Sequence, residues 1–590
     1  MVNLETKTCQ NCKNQFTIEP EDFEFYEKIK VPAPTFCPEC RLIRRMMWRN
    51  ESILYKRPSN KTGKIILSMF SSGVPIKVWD RDEWFADDWD ALDYGRNYDF
   101  SRPFFEQFRE LMLEVPFASR AVVNPVNSDY TNWNSYLKNC YLVIGASNSE
   151  NCYYSRNIAN VKDSYDSANI TNGEVYYEGF FNKKCFKAFF SSYCDESNNI
   201  FFCKNCVGVN DCFSCVGLRN KSYHIFNKPH SKDEYQNFIN GLNLGSFKSI
   251  KELKEKVQKF WFEFPVKFMS GRRNVNVVGD NIYQSKDIKN SFIIEESENL
   301  KYCFEILFNG GAKDSMDYYR YGLGSELMYE CVVCGDKAFK SSFCSNCYPS
   351  PRELTYCLTC ASSTDCFGCI GLRNKQYCIL NKQYSKEEYE QLVPRIIEHM
   401  NSMPYIDKKG RVYKYGEFFP PEFSFFAYNE TPAQEYFPLT KEQAEQQGYS
   451  WKDPEERNIQ PTITSDQLPD HIKDVSDTIT KEIIQCAHKG QCNEQCTEAF
   501  KIIPQELEFY KKMNLPLPRL CPNCRHYQRI KQRNPLKLWH RQCQCSGNQG
   551  KNPNNENIYQ NTMEHFHNTE FCPNEFETTY SPDRKEIVYC

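Results

Sequence analysis

The chain has 590 residues and a net charge of −3, so no global field favours nucleic acid or a membrane surface. No apolar run approaches the ~20 residues that span a bilayer, and the start, MVNLETKTCQNC, lacks the apolar core of a signal peptide. The expectation is a cytoplasmic protein of roughly three to five domains, whose 31 cysteines are reduced and serve as ligands or buried thiols.

Residues 1–60 read as a module built on Cys9-x2-Cys12-x24-Cys37-x2-Cys40. Paired knuckles of this kind supply the four thiolates of a tetrahedral zinc site. The second knuckle, Cys-Pro-x-Cys, opens a helix, because Pro is favoured in a first turn. A knuckle, then strands, then a helix carrying the last two ligands is the order of a treble-clef zinc ribbon. Four protein ligands leave no open coordination position, which makes such a metal structural rather than catalytic. The helix carries Arg41, Arg44, Arg45 and Arg49 at positions read as exposed. A solvated charged face is the plainer account of them, and contact with phosphate the sharper one.

Residues 61–125 hold an acidic aromatic stretch, KVWDRDEWFADDWDALDYGRNYDF, and a helix over FFEQFRELMLEV with Ser101 as N-cap and Pro103 in its first turn. Asp80, Asp82, Glu83, Asp87, Asp88 and Asp90 lie among Trp79, Trp84 and Trp89. They read as an exposed cap or hairpin rather than a carboxylate site.

Over 126–235 a phrase recurs: a polar residue, a small or β-branched one, then an aromatic. Asn139-Cys140-Tyr141, Asn151-Cys152-Tyr153, Asp163-Ser164-Tyr165 and their successors end at Asp211-Cys212-Phe213 and Tyr223, with steps of 12, 12, 11, 10, 15, 12 and 11. Such regularity predicts a β-solenoid in which each phrase is one short strand and two make a coil of about 22–24 residues. A helical connector over 236–280 includes KSIKELKEKVQKFWFEF, which caps or bridges the open end. A second solenoid over 281–389 is predicted from internal likeness: Asp365–Tyr389 matches Asp211–Tyr235 at 17 of 25 positions. Each copy ends in Ser-Lys-x-Glu-Tyr, with Ser231 or Ser385 as helix N-cap.

The solenoid cysteines admit two readings. Cys203, Cys206, Cys212 and Cys215 recur as Cys357, Cys360, Cys366 and Cys369, with Cys331, Cys334, Cys344 and Cys347 as further pairs. Four thiols within thirteen residues invite a metal. Equivalent positions, however, exchange Cys for Ser, Val, Ile, Leu or Ala, which a core slot tolerates and a ligand does not, so packing is the preferred reading.

Residues 390–485 read as a helix and an extended Pro-, Tyr- and Phe-rich strap, with a short helix near HIKDVSDTITKEII. Residues 486–590 repeat the first module as Cys492-x3-Cys496-x24-Cys521-x2-Cys524. Phe500 echoes Phe16, Glu508 to Tyr510 echo Glu24 to Tyr26, and Cys-Pro-x-Cys-Arg returns with Arg525, Arg529, Lys531 and Arg533 on the helix. Cys486 is an alternative to Cys492. A third zinc set is Cys543, Cys545, Cys572 and Cys590, with His565 and His567 as substitutes; the matching stretch of the first module, SILYKRPSNKTGKIILSMFSSGVPIKVWD, has no cysteines. GxSxG, HExxH, P-loop and dinucleotide fingerprints are absent from the sequence.

The pattern CxxC, F, EFY, P, CPxCR resembles zinc-ribbon domains of many bacterial proteins. The phrases DRDEWFADDWDALDYGRNYDFSRPFFEQFRELMLEVP, CFGCIGLRNKQYCILNKQYSKEEY and FKIIPQELEFYKKMNLPLPRLCPNCRHYQRIKQRNPLKLWHR resemble those of large cysteine-rich zinc-ribbon proteins of candidate-phyla bacteria. The resemblance spans most of the chain and implies a zinc-ribbon protein with a repeat centre. It implies no activity. Chains of that kind commonly continue past the position of Cys590 to a further CxxC.

The expected fold is therefore multidomain and mainly β: two tandem β-solenoids flanked by treble-clef zinc ribbons, with short capping helices. The expected function is that of a non-enzymatic scaffold with two to three structural Zn²⁺, presenting polar and aromatic ladders to a protein partner. The alternative is a nucleic-acid- or ribosome-associated factor that uses the basic ribbon helices.

Overall fold

The computed structural model describes residues 4–307, 310–453, 459–547, 559, 566–567 and 570–590. It is mainly β, with two parallel β-solenoids, short helices against them, and cysteine clusters toward both ends.

The coil is half the length expected. Parallel register advances by twelve residues: Ile158 pairs with Ile170, Tyr177 with Phe189, Phe189 with Phe201 and Phe201 with Phe213. Each recurring phrase thus marks a whole coil. The reason is a corner at every third residue. From Asn124 to Phe226 every third position has positive φ, and Asn, Asp and Gly occupy many of these positions, as expected for the residue types that tolerate the left-handed region. Four corners close a coil of four triplets.

The residue after each corner points inward. Cys140, Val143, Cys152, Ile158, Val161, Ile170, Cys203, Cys206, Val209 and Cys212 are all buried in this way. Corner side chains stack one coil apart: Asn127 Nδ2 donates to Asn139 Oδ1 at 2.9 Å, Asn139 to Asn151 at 3.3 Å, and Asn151 to Asp163 at 2.9 Å. The second solenoid follows the same rule with local insertions, since Leu300 pairs with Ser315 and Tyr329 bridges Ser342, while Leu354 pairs with Cys366. It begins earlier than expected, with Gly271–Arg272 paired to Ile282–Tyr283.

Ser231 and Ser385 cap the helices Lys232–Asn240 and Lys386–Ser402 through capping boxes with Glu234 and Glu388. The helix Phe104–Glu114 has Pro103, not Ser101, as its N-cap; the Ser101 hydroxyl is engaged by Asp99. The expected helix near residue 471 is two 3-10 turns, Ile472–Asp474 and Asp477–Lys481. The strap is more than a tether: Phe418, Phe419, Phe423 and Phe426 are buried in the core shared with Trp48, Phe70 and Phe105.

The terminal modules dock crosswise. The N-terminal module packs its helix Pro38–Met46 on the second solenoid, and the C-terminal module packs Pro522–Ile530 on the first. Each module instead pairs its last strand with the lead-in of the other solenoid: Val78–Trp79 with Phe117–Ala118, and Val588–Tyr589 with Val266–Lys267. Terminal module and solenoid therefore repeat together, and the two repeats embrace.

The aromatic ladders supply the docking surface. Tyr153, Tyr165, Tyr177, Phe189, Phe201 and Phe213 are buried against the C-terminal module and its neighbouring helices, with Tyr165 stacked on Phe509 at 3.7 Å between ring centroids. Tyr329 meets Tyr26 of the N-terminal module at 5.6 Å. These aromatics are thus not a free partner surface.

Candidate metal centres

In the N-terminal module a hairpin, Glu5–Thr8 with Gln15–Ile18, presents Cys9 and Cys12, and the start of helix Pro38–Met46 presents Cys37 and Cys40. All four sulfurs lie within 4.8 Å of one another. Cys12 and Cys37 are 3.7 Å apart, against the about 3.8 Å that Zn–S bonds of about 2.3 Å impose on a tetrahedron. The Cys37 amide donates to Cys9 Sγ at 3.3 Å, a bond that favours thiolate there. Contacts from Cys37 and Cys40 hold the Cys9 thiol well below its ordinary range.

The C-terminal module repeats this arrangement with one change. Its sulfur set is Cys486, Cys496, Cys521 and Cys524, again within 4.8 Å. Cys486 stands where Cys492 was expected. The backbone explains why: Cys486 N donates to Glu498 O as Cys9 N does to Asn14 O, and Ala487 N to Arg519 O as Gln10 N does to Thr35 O. The Cys521 amide donates to Cys486 Sγ at 3.3 Å, matching the bond to Cys9. Cys492 lies on a longer knuckle loop, 3.8 Å from Cys524 Sγ.

The third set is brought together in part. Cys543, Cys572 and Cys590 have sulfurs within 4.8 Å of one another, and the Cys590 amide donates to Cys543 Sγ at 3.4 Å. Cys545 is buried but outside that group, and its backbone bridges to Tyr559. His567 Nδ1 engages the Glu570 carbonyl, and His565 falls outside the described residues. The matching hairpin of the first module, Tyr55–Pro58 with Ile65–Ser68, has Ser59 and Asp80 in place of Cys543 and Cys590, and Ser59 Oγ donates to Glu83.

The solenoid thiols act as packing donors. Cys203 Sγ reaches the carbonyls of Phe201 and Cys212 at 3.5 Å each, and Cys360 Sγ those of Leu358 and Cys369 at 3.4 and 3.5 Å. Ser191 Oγ does the same toward Phe189 O at 2.9 Å. That shared role is why Ser and Cys exchange at these positions. Among the described residues, no close group of three or more ligand atoms includes a solenoid cysteine.

The docking helices are basic but not exposed, contrary to expectation. Arg41, Arg44 and Arg45 are at most 1% exposed. Arg45 Nη2 lies 3.0 Å from Asp317 Oδ1, and Arg45 Nη1 3.1 Å from Glu330 Oε2. Arg41 Nη2 lies 2.7 Å from Asp317 Oδ2; Arg44 joins Glu330 at 2.8 Å and Glu417 of the strap at 3.1 Å. Arg49 lies 2.6 Å from Glu51 and its guanidinium is 4.0 Å from the Trp133 ring. In the second helix, Arg525 reaches Asp166 and Glu506, and Arg529 reaches Asp166 at 2.9 Å. Arg533 lies over the Tyr436 ring, and Lys531, the exposed member, pairs with Glu494. Desolvation drives the pairing: a guanidinium buried without a carboxylate is costly.

The acidic tryptophan stretch is also structural. Asp80 and Glu83 form a capping box, Asp90 caps Ala91–Tyr94 and pairs with Lys375, and Asp88 pairs with Lys61. Trp84 and Trp89 receive Arg373 of the second solenoid at 5.6 and 5.4 Å. Among the described residues, no helix is long and apolar enough to cross a membrane.

No protein-family model matches the chain, and no curated protein matches it. Among solved structures, a crystal structure described as that of an acetyltransferase from Desulfovibrio desulfuricans G20 covers 48% of this chain and 83% of its own, at 11% identity and a TM-score of 0.10. A likeness that slight carries no functional argument.

Proposed function

We propose that this protein is a non-enzymatic cytoplasmic scaffold whose two terminal modules are treble-clef zinc ribbons. In this reading it belongs with the large cysteine-rich zinc-ribbon proteins its motifs resemble. The observation that carries the proposal is the closure of each of two sites by four cysteine sulfurs. Each set is made of cysteine alone, at tetrahedral spacing, and sits at the start of a helix buried on a solenoid. A metal so enclosed has no open position for substrate and contributes to folding instead. It orders the helix starts from which Arg41, Arg45, Arg525 and Arg529 reach Asp317 and Asp166.

The partner is a protein that reads the outward corners of the coils, where Asn and Asp ladders remain. The ribbon arginines, spent on internal carboxylates, offer nothing to phosphate. Affinity purification from native cells with and without nuclease tests this reading. Protein partners that survive nuclease are expected. A nuclease-sensitive ribosomal or RNA signal, weakening steeply with salt, would replace the scaffold reading with the nucleic-acid one.

A further inference from the structure

The two terminal modules differ in the length of the first knuckle. Nine residues separate Cys486 from Cys496, where two separate Cys9 from Cys12. The hydrogen bonds donated by the Cys9, Gln10 and Cys37 amides recur from Cys486, Ala487 and Cys521, so the extra residues are an insertion into a shared frame. The longer loop, AHKGQCNEQ, has seven residues more than its counterpart and carries His488, Cys492 and Glu494. It folds back so that the ligand atoms of His488, Cys492 and Glu494 lie within 4.8 Å of one another and of Cys524 Sγ.

Two features separate this arrangement from incidental crowding. Glu494 is only 6% exposed. One of its carboxylate oxygens is held by Lys531, while the other, Oε2, is buried and faces His488 Nδ1 at 3.2 Å, an imidazole–carboxylate contact that lacks the geometry of a hydrogen bond. Second, Cys524 Sγ is central to both sets: it lies 3.9 Å from Cys486 Sγ and 3.8 Å from Cys492 Sγ. A thiolate has lone pairs for two metals, and imidazole, carboxylate and thiolate together suit a borderline divalent ion of the zinc type.

We infer that the C-terminal module holds a second metal ion on His488, Cys492, Glu494 and Cys524, with the Cys524 thiolate bridging it to the ion on Cys486, Cys496, Cys521 and Cys524. The N-terminal module, lacking the insertion, holds one ion. The bridge draws the knuckle loop onto the helix start and uses the facing imidazole nitrogen and carboxylate oxygen as ligands.

The inference rests on the reading of the four-sulfur set as a metal site, and one experiment separates the two. The full chain is purified with zinc, and its metal content is read by elemental analysis and native mass spectrometry, beside His488→Ala/Glu494→Gln, Cys492→Ser and Cys496→Ser variants. Loss of one equivalent in each of the first two, with the far-ultraviolet circular dichroism of the parent retained, is expected. Unchanged content in those two overturns the second ion, and unchanged content in Cys496→Ser overturns the four-sulfur site. Should a variant fail to fold, ¹¹³Cd exchanged into the unmodified chain decides the matter. Two cadmium resonances coupled through the shared Cys524 sulfur are expected, and a single C-terminal resonance, or two without coupling, overturns the bridged site.

Discussion

Arg529 Nη1 lies 2.9 Å from Asp166 Oδ1, between residues 363 positions apart in the chain. Arg45 and Asp317 make the same contact at 3.0 Å in the other module–solenoid pair. The two aspartates sit in matching phrases, Asp163-Ser164-Tyr165-Asp166 and Asp314-Ser315-Met316-Asp317. One module–solenoid contact therefore occurs twice, made each time between elements from opposite halves of the sequence.

Asp317→Ala leaves Arg41 and Arg45 buried without their shared carboxylate, although Glu330 remains beside Arg45. Breaking a buried pair by removing one partner costs about 3–5 kcal/mol. Chemical denaturation should show a loss in that range, and Asp166→Ala a similar one. A shift under about 0.5 kcal/mol, the size of a plain surface change, would mean that the docking helices are held by their aromatic contacts alone.

Metal removal should act on the ends first. Structural zinc contributes on the order of 10 kcal/mol to small modules, whereas the solenoid interior is held by apolar packing and coil-to-coil hydrogen bonds. A strong chelator at neutral pH should expose residues 1–60 and 486–590 to limited proteolysis while the fragment from about 122 to 383 keeps its β-type circular dichroism. Cleavage within the solenoids as early as within the ends would show that the crosswise modules hold them together. Cys37→Ser should release one zinc, read by elemental analysis.

The corner rule has its own test at Asn160, an exposed residue with φ +55° whose side chain donates to Asn172. Asn160→Val puts a β-branched residue into the left-handed region, which costs roughly 1–2 kcal/mol. Asn160→Gly loses the side-chain bond but not the conformation, so it should fall within about 0.5 kcal/mol of the parent, the range of plain surface changes. Equal losses in the two variants, compared by thermal unfolding, would shift the weight from backbone conformation to the asparagine ladder.

His526 sets part of the acid sensitivity. It is 4% exposed and its Nε2 lies 3.3 Å from Glu435. Burial, with the charge of Arg156, pushes its pKa down to about 3 despite that carboxylate. The unfolded chain takes up the proton near 6.5, so between about 6.5 and about 3 it binds more protons than the folded one. Stability therefore falls as pH drops through that window, by up to on the order of 5 kcal/mol. His526→Gln should flatten this acid limb relative to the parent in denaturant titrations stepped from neutral pH to about pH 4. Parallel curves would show that His526 does not titrate on unfolding.

The sequence by itself determined what depends on local spacing. The CxxC knuckles, the doubled repeat and the Ser231 and Ser385 caps each concern residues close together in the chain, where the side chains that matter are adjacent by geometry. The coil length was partly legible in the Asn and Asp that recur at multiples of three. The hydrophobic phrases drew attention to a longer period, because every phrase looks alike whether it closes half a coil or a whole one. The tertiary structure decided the rest. Spacing favours Cys492 with Cys486 as the alternative, and the backbone bonds to Glu498 and Arg519 select Cys486. Arg41, Arg45, Arg525 and Arg529 read as a solvated basic face until Asp317 and Asp166 arrive from remote coils to bury them. Burial is a property of what packs against a residue, and here each of these arginines meets an aspartate from the far half of the chain.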